Sequence, residues 1–177
     1  DSFLLEHDSE TGAFLRAHGV PFRLIPSVSG VLACPALAGI PLMHRRLSTS
    51  MHILTAHPQS KEAPLDYKSL VRLGGTLVFL LEGGGLPAVC AGLLAAGMSP
   101  DTPAALLGDG AQTSLHKSAT VSTLPALLPQ TGLNGSAVAV IGAVCALRNP
   151  SGGSAPLPLH DRTFVVTRPR ERAEALS

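Results

Sequence analysis

Within the stretch Pro26 to His57, small polar residues and a cationic triplet stand close enough in sequence to build one site. Ser27, Ser29 and Gly30 fall where an apolar strand hands over to a short apolar helix, so backbone N–H groups there can approach a ligand and point at it. Ser29 and Gly30 serve equally as a plain helix N-cap, and the residues alone leave both roles open. The next loop carries His44, Arg45 and Arg46 in a row, a group suited either to carboxylates or simply to solvent. His57 ends the following strand without a Ser, Cys or carboxylate at a useful spacing, which favours a structural hydrogen-bonding role over that of a base. A second cluster, Gly83-Gly84-Gly85-Leu86-Pro87-Ala88, fits G-x-G-x-x-A between a strand and a helix, the context of dinucleotide binding. It stands mid-chain, and no acidic residue clearly ends the next strand to hold a ribose. A phosphate loop of the Walker type fails for want of Gly-Lys-Ser/Thr.

The elements that must position these residues alternate. An apolar remnant at the start precedes a helix that Ser9 could cap, with Glu10 in its first turn and Gly19 at its end. PFRLIP is expected as a strand, SGVLACPALAG as a helix, MHILTAH as a strand, and DYKSLVRLG as a helix closed by Gly74 and Gly75. TLVFLL follows as a buried strand and LPAVCAGLLAAG as a helix with Leu86 and Pro87 at its start. AALL and KSATVST are strands, LPALL a helix, and SAVAVIGAV the last strand. Strands that alternate with helices and are apolar along their whole length predict an α/β sandwich over a mixed or parallel sheet. NPSGGSAPLPLHD breaks the pattern, and its Pro, Gly and Ser mark a linker over residues 149–161.

Composition narrows the function classes. With 177 residues, 45% hydrophobic and only 14% charged, the chain can bury a sizeable core and is unlike a disordered one. A net charge of +1, no Trp and a single Tyr offer neither a basic field nor stacking platforms for nucleic acid. No apolar run reaches the roughly 20 residues a bilayer requires, and no signal pattern opens the chain, so a cytoplasmic protein without membrane partners is expected. Cys34, Cys90 and Cys145 lie in apolar segments without C-x-x-C spacing, which reads as buried thiols and no metal site.

The block P-S-V-S-G-V-L-A-C-P-A-L-A-G-I-P-L-M-H-R resembles the tetrapyrrole methylases, and within them the uroporphyrinogen-III C-methyltransferases. There the block reads close to P-G-V-T-S-A-x-A-x-P-A-x-A-G-I-P-x-T-H-R, before a strand ending T-G-H; here that ending is Thr55-Ala56-His57. The family's G-D-P-x-x-F-G-R-G-x-E loop is matched by Asp1, Phe3 and Glu10, with Ser2 in place of Pro and Glu6-His7-Asp8 in place of the G-R-G turn. The resemblance covers residues 1–148, and RTFVVTRPRERAEALS, residues 162–177, resembles the opening of uroporphyrinogen-III synthase. It therefore implies the C-terminal, cofactor-binding part of a methylase with a mixed sheet of about five strands flanked by helices, then the linker and the start of a fused synthase.

The resemblance further implies S-adenosyl-L-methionine as cofactor, uroporphyrinogen III as substrate, precorrin-2 as product for sirohaem and cobalamin synthesis, and a homodimer. Carried over position by position, the cofactor contacts are Asp1, Leu4, Ser29, Gly30, Leu81 and Gly110, with His44, Arg45 and Arg46 toward the substrate's carboxylates. Two positions depart from the family: Leu81-Glu82 stands for Met-Gly, and Ser29-Gly30 for Thr-Ala or Thr-Ser. Leu for Met keeps volume and apolarity, whereas Glu82 puts a side chain where glycine lets backbone approach a ligand. The family's acid and base lie upstream of residue 1, so this stretch by itself is expected not to transfer methyl groups. A non-catalytic interaction domain descended from a methylase is the alternative, favoured by the altered G-R-G turn.

Overall fold

The computed structural model describes residues 7–25, 28–56, 65–81, 85–108, 116–131 and 137–148. Among these residues five strands form: β1 (Met51–Ala56), β2 (Thr76–Leu81), β3 (Pro103–Gly108), β4 (His116–Thr120) and β5 (Ala137–Ile141). Four helices accompany them, α1 (His7–Ala17), α2 (Gly30–Leu37), α3 (Tyr67–Leu73) and α4 (Leu86–Ala95), with 3-10 segments at Leu124–Thr131 and Ala143–Leu147. The strands lie in the order β1-β2-β5-β3-β4. β1 and β2 are parallel, while β5 runs antiparallel to both β2 and β3, and β4 antiparallel to β3. This is the mixed α/β sheet expected, with β5 placed at its centre.

Strand alternation divides the apolar residues between two faces. Leu77, Phe79, Leu81, Ala104, Leu106, Ala139 and Ile141 face α4 and the first 3-10 segment, where Leu86, Val89, Cys90, Leu93 and Leu124 complete the larger core cluster. On the other face Val78, Ala105, Leu107, Val138 and Val140 meet Val31 and Cys34 of α2, Ile40, and Cys145. Each fully buried Leu, Val or Phe contributes about 1.5–3 kcal/mol, so these faces hold the elements in place. Local chemistry sets the ends. Asp66 caps α3, accepting from the Ser69 amide at 3.0 Å and the Ser69 hydroxyl at 2.6 Å. Those bonds, the hydroxyl's first, hold the Asp66 carboxyl below its ordinary range.

Four elements differ from expectation. Residues 21–25 of PFRLIP form no strand, and Phe22, Leu24 and Ile25 stay exposed. A strand needs a ladder partner, and among the described residues none lies beside this segment. Helix α1 opens at His7, so His7 and Asp8 are helical and Ser9 lies inside the first turn rather than before it. The segment from Leu124 is 3-10 and not α, because Pro125 and Pro129 cannot donate and the Ala126 amide bonds the Thr123 carbonyl at 3.2 Å. SAVAVIGAV stops pairing at Ile141, since Gly142 turns the chain with φ 150° and a Cβ there would meet the Gly75 carbonyl oxygen at 3.3 Å. The linker, residues 149–161, and the segment 162–177 lie outside the described residues.

Candidate functional site

β1, β2 and β3 all run the same way, so their last residues finish on one edge of the sheet. There Ala56 pairs with Leu81, Leu81 with Ala137, and Ala137 with Gly108, a continuous row across four strands. Three of the four residues are Ala or Gly, so little side-chain bulk stands at this edge, where Leu81, Ala137 and Gly108 are buried and Ala56 half-buried. Each borders a stretch outside the described residues: 57–64, 82–84, 109–115 and 132–136. Crevices beyond the carboxyl ends of strands are where open α/β sheets bind ligands. The row itself was not singled out from sequence; Thr55-Ala56 and the Gly108 after AALL were its only signals.

Leu81 is the last residue of β2 and lies in this row, buried, with its side chain in the core. Helix α2 precedes β1 and packs Val31 and Cys34 on the sheet face lined by Val78, Ala105, Leu107, Val138 and Val140, with Ser29 and Gly30 at its first turn. Ser29 is extended, at φ −78° and ψ 138°, and its carbonyl accepts from Leu32 and Ala33 at 3.0 and 2.9 Å. It occupies the N-cap position, yet its hydroxyl makes no capping bond. That observation weighs against the plain cap and leaves the hydroxyl able to meet a ligand. Asp1, Leu4 and Gly110, together with His57 and Glu82, lie outside the described residues.

His44, Arg45 and Arg46 are placed elsewhere. They form a tight turn in which the His44 amide donates to the Ser48 carbonyl at 2.8 Å and the Ser48 amide returns to the His44 carbonyl at 2.9 Å. Beneath it the Thr76 hydroxyl donates to the buried Ser48 hydroxyl, and that hydroxyl to the Ser50 carbonyl, each at 2.8 Å. This pins the turn to the edge where β1 and β2 begin. Arg45 and Arg46 are exposed, and the length of β1, about 17 Å, separates them from the row. The structure thus places Leu81 in the row and sets the cationic triplet at the opposite end of the strands, with Ser29 and Gly30 at the start of α2.

Of the glycine cluster, Gly85 is described, and it is used internally: a Cβ there would lie 2.6 Å from the Ala56 carbonyl oxygen. Two hollows, of about 290 Å³ between β1 and α3 and about 680 Å³ beside α2, are lined mainly by apolar side chains and neither reaches the row. Among the described residues no group of three His, Cys, Asp or Glu could hold a metal, and no helix is long and apolar enough to cross a membrane. One titratable group missed in the sequence begins β4 beside this edge. His116 bonds the Ser118 hydroxyl at 3.1 Å, and burial first, then the Arg148 charge, lowers its pKa.

Residues 1–124 match the tetrapyrrole (corrin/porphyrin) methylases. Siroheme synthase of Pseudomonas paraeruginosa is 36% identical over 150 residues, 84% of this chain and 32% of the relative. Porphyrin biosynthesis protein HemD of Ruminiclostridium josui is 32% identical over 178 residues, 99% of this chain and 35% of the relative. The chain spans about a third of the length of these curated relatives. Among solved structures, uroporphyrin-III C-methyltransferase of Thermus thermophilus, complexed with S-adenosylhomocysteine, superposes with a TM-score of 0.66 at 23% identity, over 83% of this chain and 64% of that one. A second structure of the Thermus enzyme gives 0.66 at 28% identity, over 82% and 61%. The strand order, the small-residue row and the match over more than half the length lead to one conclusion: the chain belongs to the tetrapyrrole methylases.

Proposed function

We propose that this chain is the cofactor-binding part of an S-adenosyl-L-methionine-dependent C-methyltransferase that converts uroporphyrinogen III to precorrin-2. The observation that carries the reading is the row Ala56, Leu81, Ala137 and Gly108 at the carboxyl ends of β1, β2 and β3. The fit to the cofactor is chemical: an edge of small side chains admits a flat adenosyl group, and an extended Ser29 without a capping bond supplies a hydroxyl. Ser29, Gly30 and the Leu81 backbone would hold the cofactor, joined by Asp1, Leu4 and Gly110. Bound there, it supplies an activated methyl group to a pyrrole carbon. The chain's own part is to bind, align and exclude water, because positioning provides most of what such a transfer requires. His44, Arg45 and Arg46, far from the row, are assigned to outer carboxylates of the acidic substrate and not to the reacting carbon.

The relative matched over 99% of this chain supports extending the reading into the tail, with 149–161 as a linker and 162–177 as the start of a synthase domain. Exposed apolar residues, among them Phe14, Ile25, Val28 and Leu37, support a homodimer. A non-catalytic interaction domain is the second reading, favoured by one observation: His7 and Asp8 are helical where the family places its G-R-G turn. Calorimetry separates these. Heat of binding with S-adenosylhomocysteine and none with NAD is the expected result. Binding of NAD alone would establish a dinucleotide site and overturn the proposal, and silence toward both would establish the interaction domain.

A further inference from the structure

We infer that Gly85 is a positioning residue for the cofactor edge, an inference that rests on the reading above. Its backbone, at φ −63° and ψ −11°, is one that any residue adopts, so conformation does not call for glycine here. Space does. A Cβ at this position would lie 2.6 Å from the carbonyl oxygen of Ala56, 3.5 Å from its carbonyl carbon and 3.6 Å from its Cβ. The obstacle is backbone and cannot swing aside as a side chain would.

Which partner yields is decided by anchoring. Behind Gly85, α4 buries Leu86, Val89, Cys90 and Leu93, each 1% exposed or less, and the Gly85 carbonyl accepts from the Val89 amide at 3.1 Å. Ala56 is the last residue of a strand that stands at the side of the sheet among the described residues, where its one ladder partner is Leu81. A methyl group at position 85 therefore displaces Ala56 and leaves α4 in place. Because Ala56 pairs with Leu81 and Leu81 with Ala137, the displacement passes along the row that forms the proposed shelf. Misplacement of a binding edge by about 1 Å is enough to cost orders of magnitude in a positioned reaction.

Gly97, beyond the far end of α4, provides the control: its φ is +95° and nothing lies within 4 Å of its would-be Cβ, so Gly97→Ala strains the backbone without touching the row. The test measures S-adenosylhomocysteine affinity and thermal stability for the unaltered chain, Gly85→Ala, Gly97→Ala and Ala56→Val, the last a gentler push on the same junction should Gly85→Ala fold poorly. Gly85→Ala is expected to weaken binding at least about tenfold and Ala56→Val in the same direction by less, while Gly97→Ala keeps affinity within about twofold at a comparable loss of stability. Unaltered affinity in Gly85→Ala and Ala56→Val, or an equal loss in Gly97→Ala, would overturn the inference. Failure of the unaltered chain to bind would overturn the reading beneath it, and the inference with it, and is told apart by that first measurement.

Discussion

Gly92 lies in the middle of α4, where alanine would ordinarily be the better residue by about 1 kcal/mol. Its Cβ position, however, is occupied by the ring of Tyr67, with Cδ2 at 2.6 Å and Cζ at 2.7 Å. Overpacking of this kind costs about 1–3 kcal/mol. The cost stays below the top of that range, at about 2 kcal/mol, because Tyr67 is the first residue of α3, a helix of 7 residues with none buried, so the ring can swing outward. The two effects combine to a net destabilisation of about 1 kcal/mol for Gly92→Ala, or about 3 °C in Tm for a chain of this size. In a Tyr67→Ala background the obstacle is gone and the helix preference alone remains, so the same substitution is expected to stabilise. Thermal and urea unfolding of the four proteins of this cycle measure the sign in each background. Tyr67 provides a second readout. Burial, and then the neighbouring Cys90, raises its pKa, and outward displacement in Gly92→Ala should return it toward the ordinary value in a spectroscopic titration. Stabilisation by Gly92→Ala with Tyr67 present, or the same sign in both backgrounds, would refute the packing argument.

His116 should titrate below the ordinary histidine range and move up in Arg148→Ala, though not fully, since burial is the larger cause. Its depressed pKa means that the unfolded state binds the proton more readily, so stability rises with pH from the folded value to about 6.5 and is lost as pH falls through that window. A proton NMR titration that leaves His116 unmoved in Arg148→Ala would disprove the coupling. Burial pushes the Cys90 thiol up to about 11 and the Cys145 thiol up to about 12, and the Cys145 Sγ also donates to the Val140 carbonyl at 3.3 Å. Both should resist iodoacetamide at pH 8 until the protein unfolds, and mass spectrometry showing alkylation faster than unfolding would contradict this.

The strands were legible where apolar residues ran without interruption, as in TLVFLL and AALL, because burial on both faces leaves that mark. The order of the strands was not, since no local signal announces that Ala137–Ile141 enters between β2 and β3. PFRLIP has strand composition but no neighbour to pair with among the described residues, and composition cannot report a missing partner. At the site, Ser29, Gly30 and Leu81 were named through the family pattern, and of these the fold places Leu81 in the row at the strand ends. The distance of that row from His44, Arg45 and Arg46 was invisible, because adjacency in sequence says nothing about which end of a strand a loop serves. Gly85 was noticed as part of a glycine run and weighed for nucleotide binding, whereas its contact with Ala56 depends on the meeting of α4 and β1.

The central position of β5 also governs how the protein can be assembled. As the chain emerges from the ribosome, β1 with β2 and β3 with β4 can form two separate ribbons, each ending on the side that β5 will later fill. Until residues 137–141 arrive, β2 and β3 both present unpaired amides flanked by apolar side chains, the arrangement that recruits strands from other chains. The closing contacts are long-range and come last, so the interval of exposure is set by synthesis and by slow loop closure. A chaperone that shields strand edges would act on this protein before β5 is made, and crowding of nascent chains would harm its yield most in that same interval.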